Sequence, residues 1–536
     1  MTMKNITTYL TRTAAGLLLL MACKKDNYVG KDPYADARAP LNIKIDKTTA
    51  DPAAGVPGTT VTITGSGFLK YKDSGMVVKF NEVAATITTV TESTITAKVP
   101  DNASSGIISL TVNRQLFAGP TFRVTGPVTP DLQFRSVPGA DKNTIITIGF
   151  VPGGKYLIGG SFTDYDNSGA KNGYKGLARI NPDGSLDRDF KVGKGIDGFV
   201  TCVAVQASGK YIIGGSINNY DDRFKGGYVR NIVRLLPGGA YDSTVVVTQL
   251  GNHDTVPALN AYLDASVENI LQTPDSGKLV LVGNFTYFMR KNFAGITTDG
   301  KRDSVMTDSI RMEGLVRLNE NGSFDSTFNY DAARRRSYEG ANGPVTASQI
   351  QPDGKIILAG FFTRYHGQTT GPVVRLNTDG SIDNTFNTGA GPDDRVNFVE
   401  LLKDGRYLIG GVFSKVNGKE AHRLAVLNAD GSLYNGFSVG VGVNAGPNGL
   451  PSRAIQLKNG KIFVAGFFDT FSGVKRAGTV ILDEDGKMSN GYNTMGGLSG
   501  SISTMLNVPN GNATIMAGSF SRYDLLPLNS IMLLRY

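Results

Sequence analysis

The chain has no tryptophan, two cysteines and three histidines in 536 residues. Two cysteines, Cys23 and Cys202, allow one disulfide at most. His253, His366 and His422 stand far apart, with no metal-ligand partner at helical or short spacing. A chain without Trp that binds sugar must build its stacking platform from Tyr. Charged residues are only 19%. The formal charge of +9 is spread out except at Arg334-Arg335-Arg336. That excludes a nucleic-acid footprint and leaves an attraction to anionic partners. No run of ~18 apolar residues follows residue 23, so no mature helix spans a bilayer. No stretch of helical period is long enough for a core helix. What is plentiful is Gly, 67 residues, among many Val, Ile, Thr, Phe and Tyr. That balance reads as an all-β, turn-rich protein.

The N-terminus reads as a targeting segment. Lys4 and Arg12 precede a short apolar run, Ala14 to Met21, and then Leu20-Met21-Ala22-Cys23. This resembles a bacterial lipobox. The resemblance implies a lipoprotein signal peptide over 1–22 and acylation of Cys23, palmitate included. It also implies a tether over 23–40 and a membrane partner engaged through lipid alone. Lys24-Lys25-Asp26 loosely resembles the charged export tags of some Gram-negative surface lipoproteins, so the expected location is the envelope, at the outer membrane and on its surface. With Cys23 lipidated, Cys202 is left without an intrachain disulfide. It sits in the apolar run FVTCVAVQ and reads as a small core residue.

Residues 41–126 show short alternating strands with turn signals every 8–12 residues, the spacing of a small sandwich. Pro57-Gly58, Thr62-Ile63-Thr64-Gly65-Ser66-Gly67-Phe68, Val99-Pro100 and Gly106 resemble an IPT/TIG immunoglobulin-like domain. Asn81 stands where that family usually has Gly. The resemblance implies a spacer or contact module and no catalytic residue.

From residue 129 the chain repeats. GGKYLIGGSFTDYDNSG (153–169) recurs at 208–222, 276–288, 353–367, 404–418, 459–473 and 510–524. LARINPDGSLDRDF (177–190) recurs at 315–328, 373–386 and 424–437. A unit reads as four antiparallel strands, a to d, with tight Asp-Gly or Asn-Gly turns between a and b and between c and d. Units of about 50 residues with this plan are propeller blades. The predicted blades lie near 144–198, 199–266, 267–343, 344–395, 396–449, 450–499 and 500–536. The last lacks a strand d, and TPDLQFRSVPG (129–139) resembles one. Residues 129–143 are therefore expected to complete it, closing a seven-bladed ring without open edges. The repeats resemble the delta-60 repeat, a bacterial β-propeller family without an assigned activity. LLPGGAYDSTVVV (235–247) departs from the pattern.

Loop lengths select one face. The b–c and d–a connections share it, and the long ones crowd blades 2 and 3: 249–266, 289–312 and 331–343. Five residues past each Gly pair stand Tyr165, Tyr220, Phe288, Tyr365, Val416, Phe471 and Tyr523. They read either as inter-blade packing or as a ligand platform. One position earlier stand Asp164, Asn219, Tyr287, Arg364, Lys415, Thr470 and Arg522, whose variety points to solvent or ligand. The candidate ligand-binding residues are Tyr165, Tyr220, Tyr287, Arg334, Arg335, Arg364, Tyr365, His366, Arg522 and Tyr523, which offer stacking and hydrogen bonds to a sugar. His366 reads as a solvated loop residue. Asp164, Asp166 and Ser168 partly resemble a calcium loop, with Lys175 where the distal Glu belongs; a plain Asx-turn is the competing reading. No other cofactor is implied.

No catalytic constellation is visible. The repeated DGS serines are turn residues, and Asp393-Asp394 is the carboxylate pair weighed for glycosidase chemistry. The expected function is non-catalytic binding of a polysaccharide or glycoconjugate by the loop-rich face. The alternatives are a scaffold for envelope proteins and, third, a glycan hydrolase or lyase.

Overall fold

A computed structural model describes residues 39–141, 143–169, 174–221, 229–444 and 449–536. Cys23 and the signal segment lie outside the described residues. The first 44 residues form a unit of their own; residues 45–536 form the second. Among the described residues no helix is long and apolar enough to cross a membrane.

The immunoglobulin-like part packs two sheets. One pairs Thr60–Ser66 with Thr94–Lys98 and Thr86–Val90; the other runs through Ala54–Gly55, Gln115–Val124, Gly106–Val112, Val77–Phe80 and Val83–Ala84. Alternate residues Val61, Ile63, Ile95, Ala97, Ile108, Leu110 and Phe122 turn inward and are buried. Phe80 meets Phe122 edge-on at 5.2 Å. Asn81 takes φ +43°. Asn enters this left-handed region more readily than other side-chain-bearing residues, which explains how it replaces Gly.

The rest is all-β. Seven sheets share one plan among the described residues. Their inner strands are Ile145–Val151, Ile196–Val205, Val267–Gln272, Val345–Ile350, Val396–Leu401, Leu450–Gln456 and Leu498–Asn507, here sheets 1 to 7. Each inner strand lies against the next, and the seventh lies against the first, so the ring closes around a channel. In the last sheet Thr129–Pro130 pairs antiparallel with Ile531–Arg535, Thr129 opposite Arg535. Middle strands such as Ile356–Gly360 are buried on both faces because neighbouring sheets cover them.

The glycines of the repeated AGF and GGF motifs have a specific cause. Every inner strand carries a β-bulge near its start. The bulge pushes a carbonyl toward the middle strand. A Cβ on Gly360 would sit 2.1 Å from Pro344 O, and one on Gly411 2.2 Å from Arg395 O. Only Gly fits.

Two expectations are corrected. In the a–b turn Gln351–Lys355, Gly354 alone has positive φ, +80°. Pro352 holds the preceding corner at negative φ, so this is a type I turn closed by a left-handed Gly, not a two-residue primed turn. In sheets 1 to 6 strand d shrinks to a single bridge, such as Leu376 with Ile382. Asp383 ends it: its Oδ1 accepts Thr385 N at 2.9 Å and Thr385 Oγ1 at 2.6 Å, an Asx-turn. Its Oδ2 takes Arg375 Nε at 2.7 Å and Lys355 Nζ at 2.8 Å. The same Lys–Arg–Asp cluster recurs as Lys155–Arg179–Asp187, Lys210–Arg234–Asp242 and Lys278–Arg317–Asp325. Each Arg also donates to the next sheet, as Arg317 Nη1 does to Thr378 O at 2.5 Å and Arg375 Nη1 to Ala429 O at 2.6 Å. The repeated DGK, RLN and DxxF motifs are thus one inter-sheet fastener.

The immunoglobulin-like part is bonded to sheets 6 and 7. Ser105 N donates to Thr494 O at 2.8 Å, and Arg476 Nη2 to Asn102 O at 3.1 Å. Buried Asp524 accepts Gly496 N at 2.8 Å and Arg123 Nε at 3.4 Å.

Candidate functional site

The three long connections do not stay loops. They converge in an accessory five-stranded sheet, in the order Tyr262–Leu263, Tyr287–Ile296, Asp303–Arg311, Arg336–Ser337, Tyr330–Asp331. The long hairpin turns at Asp299-Gly300, where Gly300 N donates to Thr297 O at 2.8 Å. A second hairpin, Ser243–Val247 with His253–Pro257, is tied to it through Asp303. That carboxylate accepts Thr248 Oγ1 at 2.8 Å, Leu250 N at 3.2 Å and Asn252 Nδ2 at 2.7 Å.

Between sheets 3 and 4, beside the accessory sheet, there is a cleft of about 390 Å³. Asn284, Arg311, Glu313 and Asn342 give it polar walls, with Phe285 and Tyr365 behind them. Tyr287 stands directly across the strands from Arg311 and is 40% exposed. Arg311 Nε lies 2.8 Å from Glu313 Oε1, and Glu313 Oε2 accepts Gly340 N at 3.1 Å. Asn342 Oδ1 accepts Thr363 N and Arg364 N, both at 2.9 Å. A guanidinium, a carboxylate and two amides at one opening can hydrogen-bond a polar ligand.

Of the sequence candidates, Tyr365 lines this cleft, while Tyr287 stays exposed outside the lining, opposite Arg311 in the strand pairing. Arg334 and Arg335 are exposed on the turn leading into Arg336, whose strand pairs with Arg311. Arg334 also lies 3.6 Å from Asp331. Arg364 and Arg522 are exposed but fold back on their own turns, bonding Gly367 O at 2.5 Å and Leu525 O at 3.4 Å. The aromatic row is core. Tyr165, Tyr220, Tyr365 and Tyr523 are each 1% exposed and offer no face for stacking. Tyr165 donates to Gly184 O at 2.9 Å, Tyr220 to Gly239 O, and Tyr523 shares a hydrogen bond with Thr479 at 3.0 Å. Among the described residues the Tyr365 hydroxyl has no hydrogen-bond partner.

His366 is not a solvated loop residue. It tops a hairpin in which Tyr365 pairs with Gln368, at φ +48°. Its Nε2 lies 2.9 Å from Asn329 Oδ1, and its ring lies 4.5 Å from Tyr365. Burial pulls its pKa down to about 4. In other sheets this position does the same fastening with a short polar side chain: Asp221 accepts Lys194 N at 2.9 Å and Asn417 accepts Gly391 N at 2.9 Å.

Asp164 forms the Asx-turn, its carboxylate accepting Tyr165 N at 2.8 Å, Gly169 N at 3.0 Å and the Ser168 hydroxyl. Asp166 is turned to Arg135, 2.7 Å away. Among the described residues no group of three or more His, Cys, Asp or Glu could hold a metal ion. Asp393 accepts Ser414 N at 2.8 Å and Lys415 N at 3.0 Å, and Asp394 accepts Arg395 N at 2.6 Å, so each is engaged locally. Cys202 is buried, and burial pushes its thiol up to about 12, far from a nucleophile.

Sequence reasoning missed three charged residues of the channel, Arg453, Glu400 and Glu268; their place on the inner strands was the available signal. Burial pushes Glu400 up to about 7, and its Oε1 accepts Gln456 N at 3.3 Å. Glu268, also on the channel wall, accepts Asn284 Nδ2 at 3.2 Å and Ser266 Oγ at 2.5 Å.

Residues 48–127 match the IPT/TIG domain. Residues 152–190, 206–244, 314–328, 351–386 and 402–437 match a family described as a domain of unknown function (DUF5122) beta-propeller. No curated protein matches the chain. Among solved structures, a putative phosphatase from Bacteroides thetaiotaomicron is 12% identical, with a TM-score of 0.33, covering 92% of this chain and 98% of its own. An auxiliary nutrient binding protein from the same organism is 12% identical, with a TM-score of 0.31, covering 80% of this chain and 96% of its own. YCF48 bound to D1 peptide is 11% identical, with a TM-score of 0.39, covering 77% of this chain and 97% of its own.

Proposed function

We propose that this chain, an IPT/TIG domain joined to a DUF5122 β-propeller, is a lipid-anchored envelope protein that binds a polysaccharide or glycoconjugate without catalysis. Acylation of Cys23 and display on the outer membrane belong to the same reading and rest on the N-terminal sequence. The observation that carries the binding assignment is the gathering of three insertions into one accessory sheet, which sets Arg311 on the wall of a polar cleft with exposed Tyr287 paired opposite it. Rigid strands hold such groups at lower entropic cost than loops do. The non-catalytic part rests on the carboxylates: Asp393, Asp394, Glu268 and Glu400 each hold a separate backbone or side-chain partner. The test is a glycan array with the full chain and with a variant whose 289–312 segment is cut to the length of 417–422. Binding by the full chain alone supports the reading; no binding to any glycan overturns it. Protease accessibility on intact cells tests the location.

A specific observation favours a second reading, a scaffold for envelope proteins. Val245, Val247, Leu250, Val305 and Met306 are all more than 40% exposed on the two hairpins joined by Asp303. An apolar patch of this kind suits a protein partner. Recovery of one stoichiometric partner, insensitive to added sugar, would select it.

A further inference from the structure

The channel crosses the ring between the inner strands of all seven sheets and encloses about 380 Å³. An inner strand has one edge without a strand partner, so its carbonyls need other donors. Side chains of the preceding sheet supply them. Thr201 donates to Val267 O, Asn269 Nδ2 to Ser348 O at 3.2 Å, Thr346 to Val396 O at 2.5 Å and Asn397 Nδ2 to Pro451 O at 3.3 Å. Arg453 Nε does the same for Ser503 O at 2.8 Å.

Neutral Thr and Asn suffice for this duty elsewhere, so the charge of Arg453 is surplus to it. Asn269 occupies the matching place in sheet 3, directly after the bulge, as Arg453 does in sheet 6. The guanidinium spends Nε and one Nη1 hydrogen on carbonyls, the second on Ser452 O at 2.8 Å. Among the described residues no carboxylate lies within ion-pairing distance of it, and no acceptor is bonded to Nη2. The two channel carboxylates are engaged elsewhere, Glu268 by Asn284 and Glu400 by the Gln456 amide. Protein surrounds the guanidinium closely enough to pull its pKa down, while water still reaches it through the lumen. A charge so placed gains from a counter-ion, and Nη2 is left to donate to an anion's oxygen.

We propose that the channel is a small-oxyanion site centred on Arg453, whose lining also includes Ser503 and Thr504 of sheet 7 and Thr147 of sheet 1. Carboxylate and inorganic phosphate share the required chemistry. The site lies apart from the cleft beside the accessory sheet and does not depend on what binds there.

The test uses the full chain at pH 7.5 and constant ionic strength. Thermal unfolding is followed while sodium acetate or sodium phosphate replaces sodium chloride. Above the dissociation constant each tenfold rise in free anion concentration adds ~1.4 kcal/mol, or roughly 1 °C for a chain of this size. The wild type is expected to show that rise with acetate, phosphate or both, the larger response naming the source. Arg453→Gln keeps a donor for Ser503 O without the charge, and is expected to lose the rise; Arg453→Asn, the choice of sheet 3, is the second variant. An equal anion response in wild type and variant overturns the proposal. In the wild type alone, acetate or phosphate should slow phenylglyoxal modification of Arg453 and leave exposed Arg364 unaffected. Equal modification rates with and without anion also overturn it.

Discussion

Arg375 Nε lies 2.7 Å from Asp383 Oδ2, and both side chains are less than a tenth exposed. The pair faces the ring of Phe386 through the guanidinium, 4.9 Å from its centre. Lys355 closes the cluster from the a–b turn of the same sheet.

Asp383→Ala is therefore expected to leave Arg375 and Lys355 uncompensated and to cost about 3 kcal/mol of stability, read by chemical denaturation. The clusters hold the carboxyls of Asp383, Asp325 and Asp187 below the ordinary value. A depressed carboxylate pKa contributes stability above its unfolded value, and that stability is lost as pH falls through the folded value. Wild-type stability should drop steeply below pH ~4, and Asp383→Ala should show a shallower drop.

His366→Asn should fold, because Asn417 already does this fastening in the next sheet. His366 is held neutral, its pKa lowered from 6.5 to about 4. The unfolded chain then binds the proton more readily, so wild-type stability is full above 6.5 and falls toward pH 4. The variant should lack that component, on the order of 2 kcal/mol, in melting curves taken across the window.

Glu400→Gln should act in the opposite sense. Burial raises the Glu400 carboxyl from 4.5 to about 7. Its neutral form costs nothing below the unfolded value, and stability is lost as pH rises through the folded one. The amide keeps an acceptor for Gln456 N without titrating, so the variant should gain on the wild type between pH 5 and 8, by about 2 kcal/mol. A constant difference across that range would contradict the enclosed setting of Glu400.

Tyr287→Ala should weaken glycan binding about tenfold, near 1.4 kcal/mol, without changing the melting temperature, since Tyr287 is 40% exposed. Tyr365→Phe should leave binding unchanged, because its hydroxyl is enclosed and, among the described residues, unbonded. Calorimetry with the array hit distinguishes the two.

Local chemistry made much of this molecule legible in the sequence. Apolar KIILAG runs between Gly-bearing turns specify buried strands, because period and turn residues act over a few positions. The repetition of those runs specifies a ring, and the resemblance of 129–139 to a fourth strand anticipates the pairing of Thr129 with Arg535. The lipobox-like segment is read from the sequence alone.

The a–b corner is a type I turn at Gln351–Lys355 and again at Leu402–Arg406, with positive φ only at Gly354 and Gly405. Other features depend on groups that meet only in space. The burial of the Tyr165 row and the fastening by His366 depend on residues distant in the chain. The accessory sheet joins segments from 262 to 337, and the channel gathers side chains from all seven inner strands. The sequence by itself determined the strands, the turns and the repeat, because hydrogen bonding and φ preferences are local. Only the tertiary structure decided which polar groups stay exposed at the cleft and in the channel, because burial is a property of the neighbours that the closed ring brings.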